Sequence, residues 1–270
     1  MNVANLDILH LQISQNPGTL QIFLFDSVQT VFDVAFDLAF QKLLGIWDSA
    51  IANSQEAGHG QLRRQWISPP GNIYACIRLP AVGVFKTEAA TPFLGLLCAL
   101  ALNNLGWPVL LKWPNDLILM VEDEPGKVGG MLLEDRGNVL LAGIGINLAS
   151  SPSPDKMREK TALNSTFLNR SSGCGKQGIQ PLKIWTGLVQ QMLALYSRFT
   201  NSDDQWQKYY NEILLWKNKN VEIEDGLIKH SGKLLGIKND GSIQISSKDG
   251  MLSFNSGSLA RAAKNHLHNP

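Results

Sequence analysis

Lysine, asparagine and aspartate side chains occur close together in the middle of this 270-residue sequence. Lys112 lies in an apolar run, Asn115 and Asp116 follow that run directly, and Lys127 stands before two glycines. A carboxylate can bind Mg²⁺ or take a proton from an attacking amine, and an amide can bind a base or a phosphate. A lysine on a core strand needs an anionic partner, so Lys112 is expected to pair with Asp116 or with an anionic ligand.

These side chains are predicted to lie at one end of a sheet. Residues 109–113 are apolar and extended, Pro114 disfavours helix at the preceding residue, and Asn115-Asp116 are turn formers. The chain is therefore expected to reverse there before a second strand over 117–121. Lys127 stands where the chain re-enters the sheet beside glycines that permit close approach of backbone or ligand.

A glycine-containing loop over residues 57–66 is a second candidate for binding. Gly58 and Gly60 permit conformations in which successive N–H groups point inward, and Arg63 and Arg64 add charge-assisted donors for a carboxylate or phosphate. From residue types alone, a surface loop with solvated arginines is the commoner interpretation. The order of this loop relative to the other motifs of the sequence favours a binding loop instead.

The pattern resembles the biotin protein ligases. Residues 112–116 read Lys-Trp-Pro-Asn-Asp and residues 127–134 read Lys-Val-Gly-Gly-Met-Leu-Leu-Glu, which match the KWPND and K-x-x-G-(I/M)-L-x-E motifs of that family. Weaker pieces follow the family's order at 25–27, 55–66 and 143–147. This order is harder to obtain by chance than any single motif. The resemblance runs from about Leu20 into the C-terminal region.

The resemblance implies a two-step ligase reaction. Biotin and Mg-ATP would give biotinyl-5′-adenylate and pyrophosphate, and a lysine of the biotin carboxyl carrier protein of acetyl-CoA carboxylase would then attack the adenylate. ATP and Mg²⁺ are thus the expected cofactors and biotin a substrate, with the metal ligands unknown. Matching positions give catalytic Lys127, Asp116, Lys112 and Arg64; biotin-binding Ser27, Gln55, Gly58, Gly60, Trp66 and Gly129; and nucleotide-binding Asn115, Asn147, Lys127 and Arg63.

Several of these residues also have ordinary structural interpretations. The family role of Lys127 is donation to the α-phosphate, but lysines in loops are mostly solvated. Asp116 could simply cap a turn, Asn115 could form an Asx turn, and Asn147 could end a strand.

The sequence departs from the family in two places. The usual loop is close to G-R-G-R-R-G-R-x-W, whereas three of its cations are here His59, Gln61 and Leu62, and Arg63 replaces a glycine. Where the family usually reads D-S-T-N, Val28 removes one hydroxyl. The steps that depend on the loop and the affinity for biotin are therefore the properties most open to change.

The resemblance implies an α/β (α+β) fold, with a mixed-sheet core of the class II aminoacyl-tRNA synthetase and biotin ligase type in residues 1–218. Short alternating segments separated by Asp-Gly turns at 225, 240 and 249 predict a small β-barrel in residues 219–270, and the resemblance implies that this barrel is SH3-like. Helices are predicted over 29–44, with Ser27 as N-cap, and over 87–105, 182–199 and 203–215. Strands are predicted over 20–25, 50–53, 72–79, 109–113, 117–121, 221–224, 233–237, 242–246 and 251–254, with further strands up to 148.

Composition excludes several classes of function. Twenty-four basic and 23 acidic residues give a net charge of +1, which does not fit a broad phosphate-backbone or membrane-surface footprint. About twenty residues precede the first predicted core strand, too few for a helix-turn-helix, so no DNA binding is expected. The apolar stretch 31–47 is interrupted by Asp33 and Asp37 and predicts no membrane span.

Cysteine usage fits a cytoplasmic protein. The three cysteines have no C-x-x-C spacing. Cys76 and Cys98 lie in apolar stretches and are expected to be buried thiols, whereas Cys174 lies in a polar segment and is expected to be exposed.

Two alternative functions stay open at this point. A lipoate or octanoate transferase of the same architecture would also use a core lysine, but the Lys-Trp-Pro-Asn-Asp motif and the C-terminal strands argue against it. A non-catalytic protein that binds biotin or its adenylate would fit the altered loop and Val28. The oligomeric state is not predicted.

Overall fold

A computed structural model describes residues 7–12, 19–61, 64–152, 163–170 and 180–262 of the chain. The predictions made for Leu62, Arg63 and Cys174 lie outside these ranges.

An eight-stranded mixed sheet forms the first part of the fold. Its strand order is β1-β2-β3-β4-β8-β7-β6-β5. Strands β2 and β3 are parallel, and every other neighbouring pair is antiparallel. The strands are β1 (Asp7–Gln12), β2 (Thr19–Val28), β3 (Ser49–Gln55), β4 (Ile73–Leu79), β5 (Val109–Lys112), β6 (Asp116–Val121), β7 (Glu124–Arg136) and β8 (Val139–Ile146).

A five-stranded antiparallel sheet follows near the C-terminus, in the order β12-β11-β10-β9-β13. Its strands are β9 (Asn220–Asp225), β10 (Ile228–Ile237), β11 (Ile243–Ser247), β12 (Gly250–Phe254) and β13 (Ser258–Arg261). The predicted mixed-sheet core with a β-rich C-terminal part is confirmed. Closure of the second sheet into a barrel and the domain boundary after residue 218 stay predictions.

Four α-helices flank the large sheet: α1 (Val31–Phe40), α2 (Ala90–Asn104), α3 (Pro181–Asn201) and α4 (Trp206–Ile213). The predicted N-cap of α1 was wrong. Strand β2 continues through Ser27, and Thr30 instead caps the helix, because its side chain accepts a hydrogen bond from Asp33 N.

The helices lie on opposite faces of the sheet. Helix α1 makes its main contacts with β3, β4 and β8, whereas α2 packs against β5, β6 and β7 from the other side and also against α3. Helix α2 is buried almost all round because it lies between these layers, which explains its uniformly apolar sequence. Cys76 and Cys98 are buried, as predicted, and burial raises the pKa of Cys98 to about 12.

The C-terminal part packs against the turn that carries the polar motif. The indole Nε1 of buried Trp113 donates to Gly241 O at 3.1 Å, and Leu215 N donates to Leu111 O at 2.8 Å. A Cβ on Gly241 would lie 2.6 Å from Ala89 Cα, at the start of α2. The β10–β11 turn therefore packs against the β5–β6 turn, and a side chain at position 241 would separate the two turns.

Asn72 holds the chain segment that leaves β8. Its Oδ1 accepts hydrogen bonds from the backbone N–H groups of Leu148, Ala149 and Ser150 at 2.9 to 3.3 Å, and its side chain is 1% exposed. Its Nδ2 donates to Ser150 O and to Tyr74 Oη.

Replacement of Asn72 by alanine should lower the free energy of unfolding by about 2 to 4 kcal/mol, because buried N–H groups would lose their acceptor. Urea denaturation of the two proteins measures this. Asn104→Ala is the matched control, since the Asn104 side chain donates to Gln191 at an exposed position and its loss should cost less than about 0.5 kcal/mol. Equal stability of the Asn72 variant and the parent would contradict the expectation.

Candidate active site

A row of residues crosses the sheet from strand to strand at one end. The register pairs Tyr74 with Gly145, Gly145 with Gly130, Gly130 with Asp116, and Asp116 with Lys112. Directly paired residues point to the same face of a sheet. The predicted convergence of the two lysines, the asparagine turn and the aspartate at one sheet end is therefore observed.

The row lies on the face that carries α1. Phe32 of α1 covers Gly143, since a Cβ on that glycine would lie 2.4 Å from the phenyl ring. The main contacts of α1 end at β8, so the same face of β7, β6 and β5 carries the polar side chains of the site. Helix α1 and the polar side chains of the site therefore occupy neighbouring parts of the same sheet face.

Asp116 is paired with two lysines. Its Oδ2 lies 3.1 Å from Lys112 Nζ and its Oδ1 lies 2.6 Å from Lys127 Nζ. The side chains of Lys112 and Asp116 are 15% and 14% exposed, and that of Lys127 is 31% exposed. Burial acts to raise the pKa of Asp116, but the two ammonium groups outweigh it and hold the pKa below its ordinary value of 3.8.

This arrangement bears on one of the roles considered for Asp116, that of a proton acceptor. A carboxylate whose pKa is lowered is a weak proton acceptor, so the geometry favours an electrostatic role over a general-base role. The cluster carries two positive charges and one negative charge, and Lys127 is its most exposed member. A bound anion would compete with Asp116 for Lys127.

Trp66 forms the wall of the site next to Lys127. Its indole lies against Gly145, where a Cβ would come within 2.7 Å of the ring, and Lys127 Nζ lies 5.6 Å from the ring centroid. The indole Nε1 is buried and has no hydrogen-bond partner among the described residues. Glycine at 145 is therefore required by the close approach of Trp66, and a buried donor is left at the site.

The glycine loop is anchored at Gly58 and Gln55. Gln55 Oε1 accepts from Val31 N at the start of α1, and its Nε2 donates to Ser68 Oγ. A Cβ on Gly58 would come within 3 Å of Trp66 O, of Gln55 Nε2 and of Ser68 Oγ. Only glycine fits at 58, and the Gln55 amide holds the loop to the helix.

Backbone contacts join the described residues on the two sides of the loop. His59 and Gln65 form a β-bridge, and Gly60 N donates to Arg64 O at 2.8 Å. A Cβ on Gly60 would have nothing nearer than 3.9 Å, so the described contacts do not require glycine there. Gln61 and Arg64 are exposed.

His59 ties the loop to β7 where the family has an arginine. Its Nε2 lies 3.4 Å from Glu134 Oε1, and its ring stacks on Phe32 with a centroid separation of 5.9 Å. Glu134 also pairs with Arg136 at 2.6 Å. The sequence alone did not indicate this contact, because Glu134 is distant along the chain.

An open cleft of about 920 Å³ lies between the loop, the start of α1 and β7. Its lining includes Thr30, His59, Gly60, Leu132 and Glu134. Ser27 is exposed on β2 and is not among the lining residues. Of the predicted biotin-binding residues, Gly60 lines this cleft, whereas Ser27, Gln55, Gly58, Trp66 and Gly129 are not among its lining residues.

Asn115 and Gly129 hold the β5–β6 turn and its neighbours together. Asn115 Nδ2 donates to Met131 O at 2.7 Å, and Met131 N donates to Asn115 O at 3.1 Å. A Cβ on Gly129 would lie 2.7 Å from Gly145 O. Both residues fix the site's backbone.

Asn147 directly follows β8 and is buried. Its backbone N–H donates to Val128 O, and its Nδ2 donates to Ser165 Oγ and Thr166 O. Sequence reasoning missed Ser165 and Thr166, because they belong to a polar insert over 150–180 whose return to the sheet follows from no local pattern.

No group of three His, Cys, Asp or Glu side chains in the described part of the chain is arranged to hold a metal ion. Asp116, the acid considered for Mg²⁺, is instead neutralised by lysines. No described helix is long and apolar enough to cross a membrane.

Comparison with known proteins identifies the core. Residues 32–150 match the family described as Biotin/lipoate A/B protein ligase. The matched stretch is a little under half of the chain. It contains the row of paired residues, the glycine loop and the lysine cluster.

Two curated relatives extend the comparison. The chain is 34% identical over 116 residues to the biotin--[acetyl-CoA-carboxylase] ligase of Paracoccus denitrificans, a match covering 38% of this chain and 45% of the relative. It is 27% identical over 220 residues to the bifunctional ligase/repressor BirA of Bacillus subtilis strain 168, covering 74% of this chain and 62% of the relative. The chain thus spans less than two thirds of the length of these relatives.

Solved structures show the same fold. The biotin protein ligase of Aquifex aeolicus in complex with biotin and ATP superimposes with a TM-score of 0.74 at 23% identity, covering 89% of this chain and 99% of that one. The Leishmania major enzyme in complex with biotinyl-5-AMP gives a TM-score of 0.62 at 20% identity, covering 87% and 98%.

Proposed function

We propose that this chain is a biotin protein ligase, which activates biotin with ATP as biotinyl-5′-adenylate and transfers the biotinyl group to a lysine of a biotin carboxyl carrier protein. The observation that carries the proposal is the Lys112–Asp116–Lys127 cluster beside Trp66 and Gly130, within the part of the chain that matches the ligase family. The complexes of the Aquifex and Leishmania proteins with biotin, ATP or biotinyl-5-AMP support the choice of substrates.

In the first step a biotin carboxylate oxygen attacks the α-phosphorus of ATP, and pyrophosphate leaves. Negative charge grows on the phosphoryl oxygens in the transition state. The Lys127 ammonium can leave Asp116 for those oxygens, since Lys112 still neutralises Asp116. A cation placed where negative charge develops lowers the barrier.

In the second step the neutral amine of the acceptor lysine attacks the carbonyl carbon of the adenylate, and AMP leaves. Asp116 has a low proton affinity in the described arrangement, so its proposed role is to hold the two lysines. Positioning of the two reactants then supplies most of the acceleration.

We also propose binding roles for the other predicted residues. Trp66, whose indole N–H has no partner among the described residues, Gly129 and the glycine loop would contact biotin together with Ser27. Arg63 and Arg64 would approach the phosphate. Asn115 and Asn147 would lie beside the nucleotide, and Mg²⁺ would be brought by ATP.

The test is pyrophosphate release by purified protein given Mg-ATP with biotin, lipoate or neither. Biotin should stimulate release and label a carrier domain, with lipoate far poorer. Stimulation by lipoate instead would identify a lipoate ligase, as the shared family name allows. Binding of biotin without any pyrophosphate release would identify a non-catalytic binding protein.

A cytoplasmic location and the absence of DNA binding remain predictions. The Bacillus relative is named both ligase and repressor, which is a property of that protein. A gel-shift measurement with this chain would test the second prediction directly.

A further inference from the structure

A short segment of the insert, residues 164–166, completes the sheet next to Lys127. Strand β8 ends before it reaches this lysine, and Ser165 takes its place in a parallel bridge with Lys127. Lys127 N donates to Asn164 O at 2.8 Å, and Thr166 N donates to Lys127 O at 2.9 Å. The 164–166 segment therefore binds both the backbone N–H and the backbone carbonyl of Lys127.

An irregularity in β7 brings the Lys127 side chain onto the face of the site. The pairing of β7 with β6 shifts by one residue at Val128, which has no partner on β6. Successive residues of a regular strand point to opposite faces, so without this extra residue Lys127 would face away from Gly130. With it, Lys127 Nζ lies 3.5 Å from where a Cβ on Gly130 would be and 2.6 Å from Asp116 Oδ1. The direction of the ammonium thus depends on the backbone at Lys127.

Gly126 lets the segment approach β7. A Cβ on Gly126 would lie 2.6 Å from Thr166 Cγ2 and 3.0 Å from Thr166 Cβ, although the backbone of Gly126 is not in the left-handed region. Glycine is needed here for space and not for conformation. Thr166 is 4% exposed, and its carbonyl and the N–H of Leu168 both bond to Asn147, which ties the segment to the end of β8.

We propose that the 164–166 segment is a positioning element for Lys127, which holds the backbone of the lysine where its ammonium can reach the α-phosphate, and that Gly126 is the residue that admits the segment. This rests on the proposed function, in which Lys127 stabilises the transition state of adenylate formation. In this role the segment acts through the backbone of Lys127 and not on the substrates. It lies outside the family match over 32–150.

Single-turnover pyrophosphate release by Gly126→Ala tests the proposal. The added methyl group displaces Thr166, and with it the two backbone groups that hold Lys127. The rate at saturating biotin and Mg-ATP should fall about tenfold, because displacement of a reacting group by about 1 Å can cost up to 10²-fold. Biotin affinity measured by calorimetry should not change. The control is Gly187→Ala, whose Cβ would make an ordinary contact of 3.5 Å with Leu105 and should leave both quantities at the parent values.

Two double variants separate positioning from a general structural effect. Thr166→Ser removes Cγ2 and should restore most of the rate of Gly126→Ala, since the remaining contact at 3.0 Å is relieved by a small shift. In the Lys127→Ala protein, Gly126→Ala should slow release no further, because the ammonium that the segment positions is absent. A further loss by the same factor in that protein would overturn the proposal, as would the parent rate in Gly126→Ala or no recovery with Thr166→Ser.

A second variant covers the case in which Gly126→Ala is unfolded at the assay temperature. Thr166→Pro removes the N–H that donates to Lys127 O and adds nothing at Gly126. Its rate should also fall while biotin affinity is kept, and a parent rate would overturn the proposal. The proposed function fails on a different observation, the absence of biotin-dependent pyrophosphate release by the parent.

Discussion

Replacement of Lys127 by alanine should reduce biotin-dependent pyrophosphate release by roughly 30-fold to 10³-fold, which corresponds to about 2 to 4 kcal/mol of lost transition-state stabilisation. The reason is that the ammonium 2.6 Å from Asp116 is the most exposed charge of the cluster and has a second anion to move to once ATP is bound. Single-turnover pyrophosphate release measures the effect.

Biotin affinity should change little in the same variant, because the proposed partner of Lys127 is a phosphate oxygen that is present only with nucleotide. Calorimetry with biotin alone measures this. Lys86→Ala is the matched control, since Lys86 pairs with Asp135 at an exposed position and should leave both quantities unchanged. A parallel loss of biotin affinity in Lys127→Ala would place the lysine at the biotin carboxylate.

Loss of folding is not expected to confuse this experiment. Asp116 keeps its ion pair with Lys112 when Lys127 is removed, so no unpaired charge is left buried. The backbone bonds from Lys127 to the 164–166 segment do not involve its side chain. Thermal unfolding of the variant should therefore match the parent within a few degrees.

Sequence reasoning located the lysine cluster because local signals were strong there. Pro114 and the Asn115-Asp116 pair indicated a reversal between two apolar runs, and a hairpin places Lys112 opposite Asp116 by register alone. The pairing of Lys112 with Asp116 followed because a lysine on a buried strand needs a counterion.

The contacts that sequence reasoning missed are long-range. Ser165 meets Asn147, His59 meets Glu134, and Trp113 meets Gly241 only after the sheets have assembled. Strands β1 and β13 were also missed, since short edge strands lack a strong periodic signal. The α1 cap was misplaced because nothing local showed that β2 would continue through Ser27.

Two amide side chains that were predicted to bind ligands also form hydrogen bonds within the protein. Gln55 links α1 to Ser68, and Asn115 links the β5–β6 turn to Met131. A side-chain amide has several donor and acceptor sites, so these bonds leave capacity for a ligand. A residue type that suits a ligand equally suits the frame around it, which is why sequence alone could not separate the two roles.

Replacement of Asp116 by asparagine should destabilise the protein by about 2 to 3 kcal/mol at pH 7. Breaking a buried ion pair by removing one partner costs about 3 to 5 kcal/mol, and the partial exposure of Lys127 reduces the expected value. Two ammonium groups would then face a neutral amide. Equilibrium denaturation in urea measures the loss, with Asp135→Asn as an exposed control that should cost less than about 1 kcal/mol.

The pH dependence makes this prediction specific to the carboxylate. Because the pKa of folded Asp116 lies below its ordinary value of 3.8, its stabilisation is fully present above about pH 3.8 and is lost as the pH falls through the lower folded value. The difference in free energy of unfolding between parent and Asp116→Asn should thus stay constant from pH 7 to about pH 5 and shrink on acidification below about pH 3.8. A difference that does not vary with pH would mean that asparagine perturbs packing and that the charge of Asp116 contributes nothing to the fold.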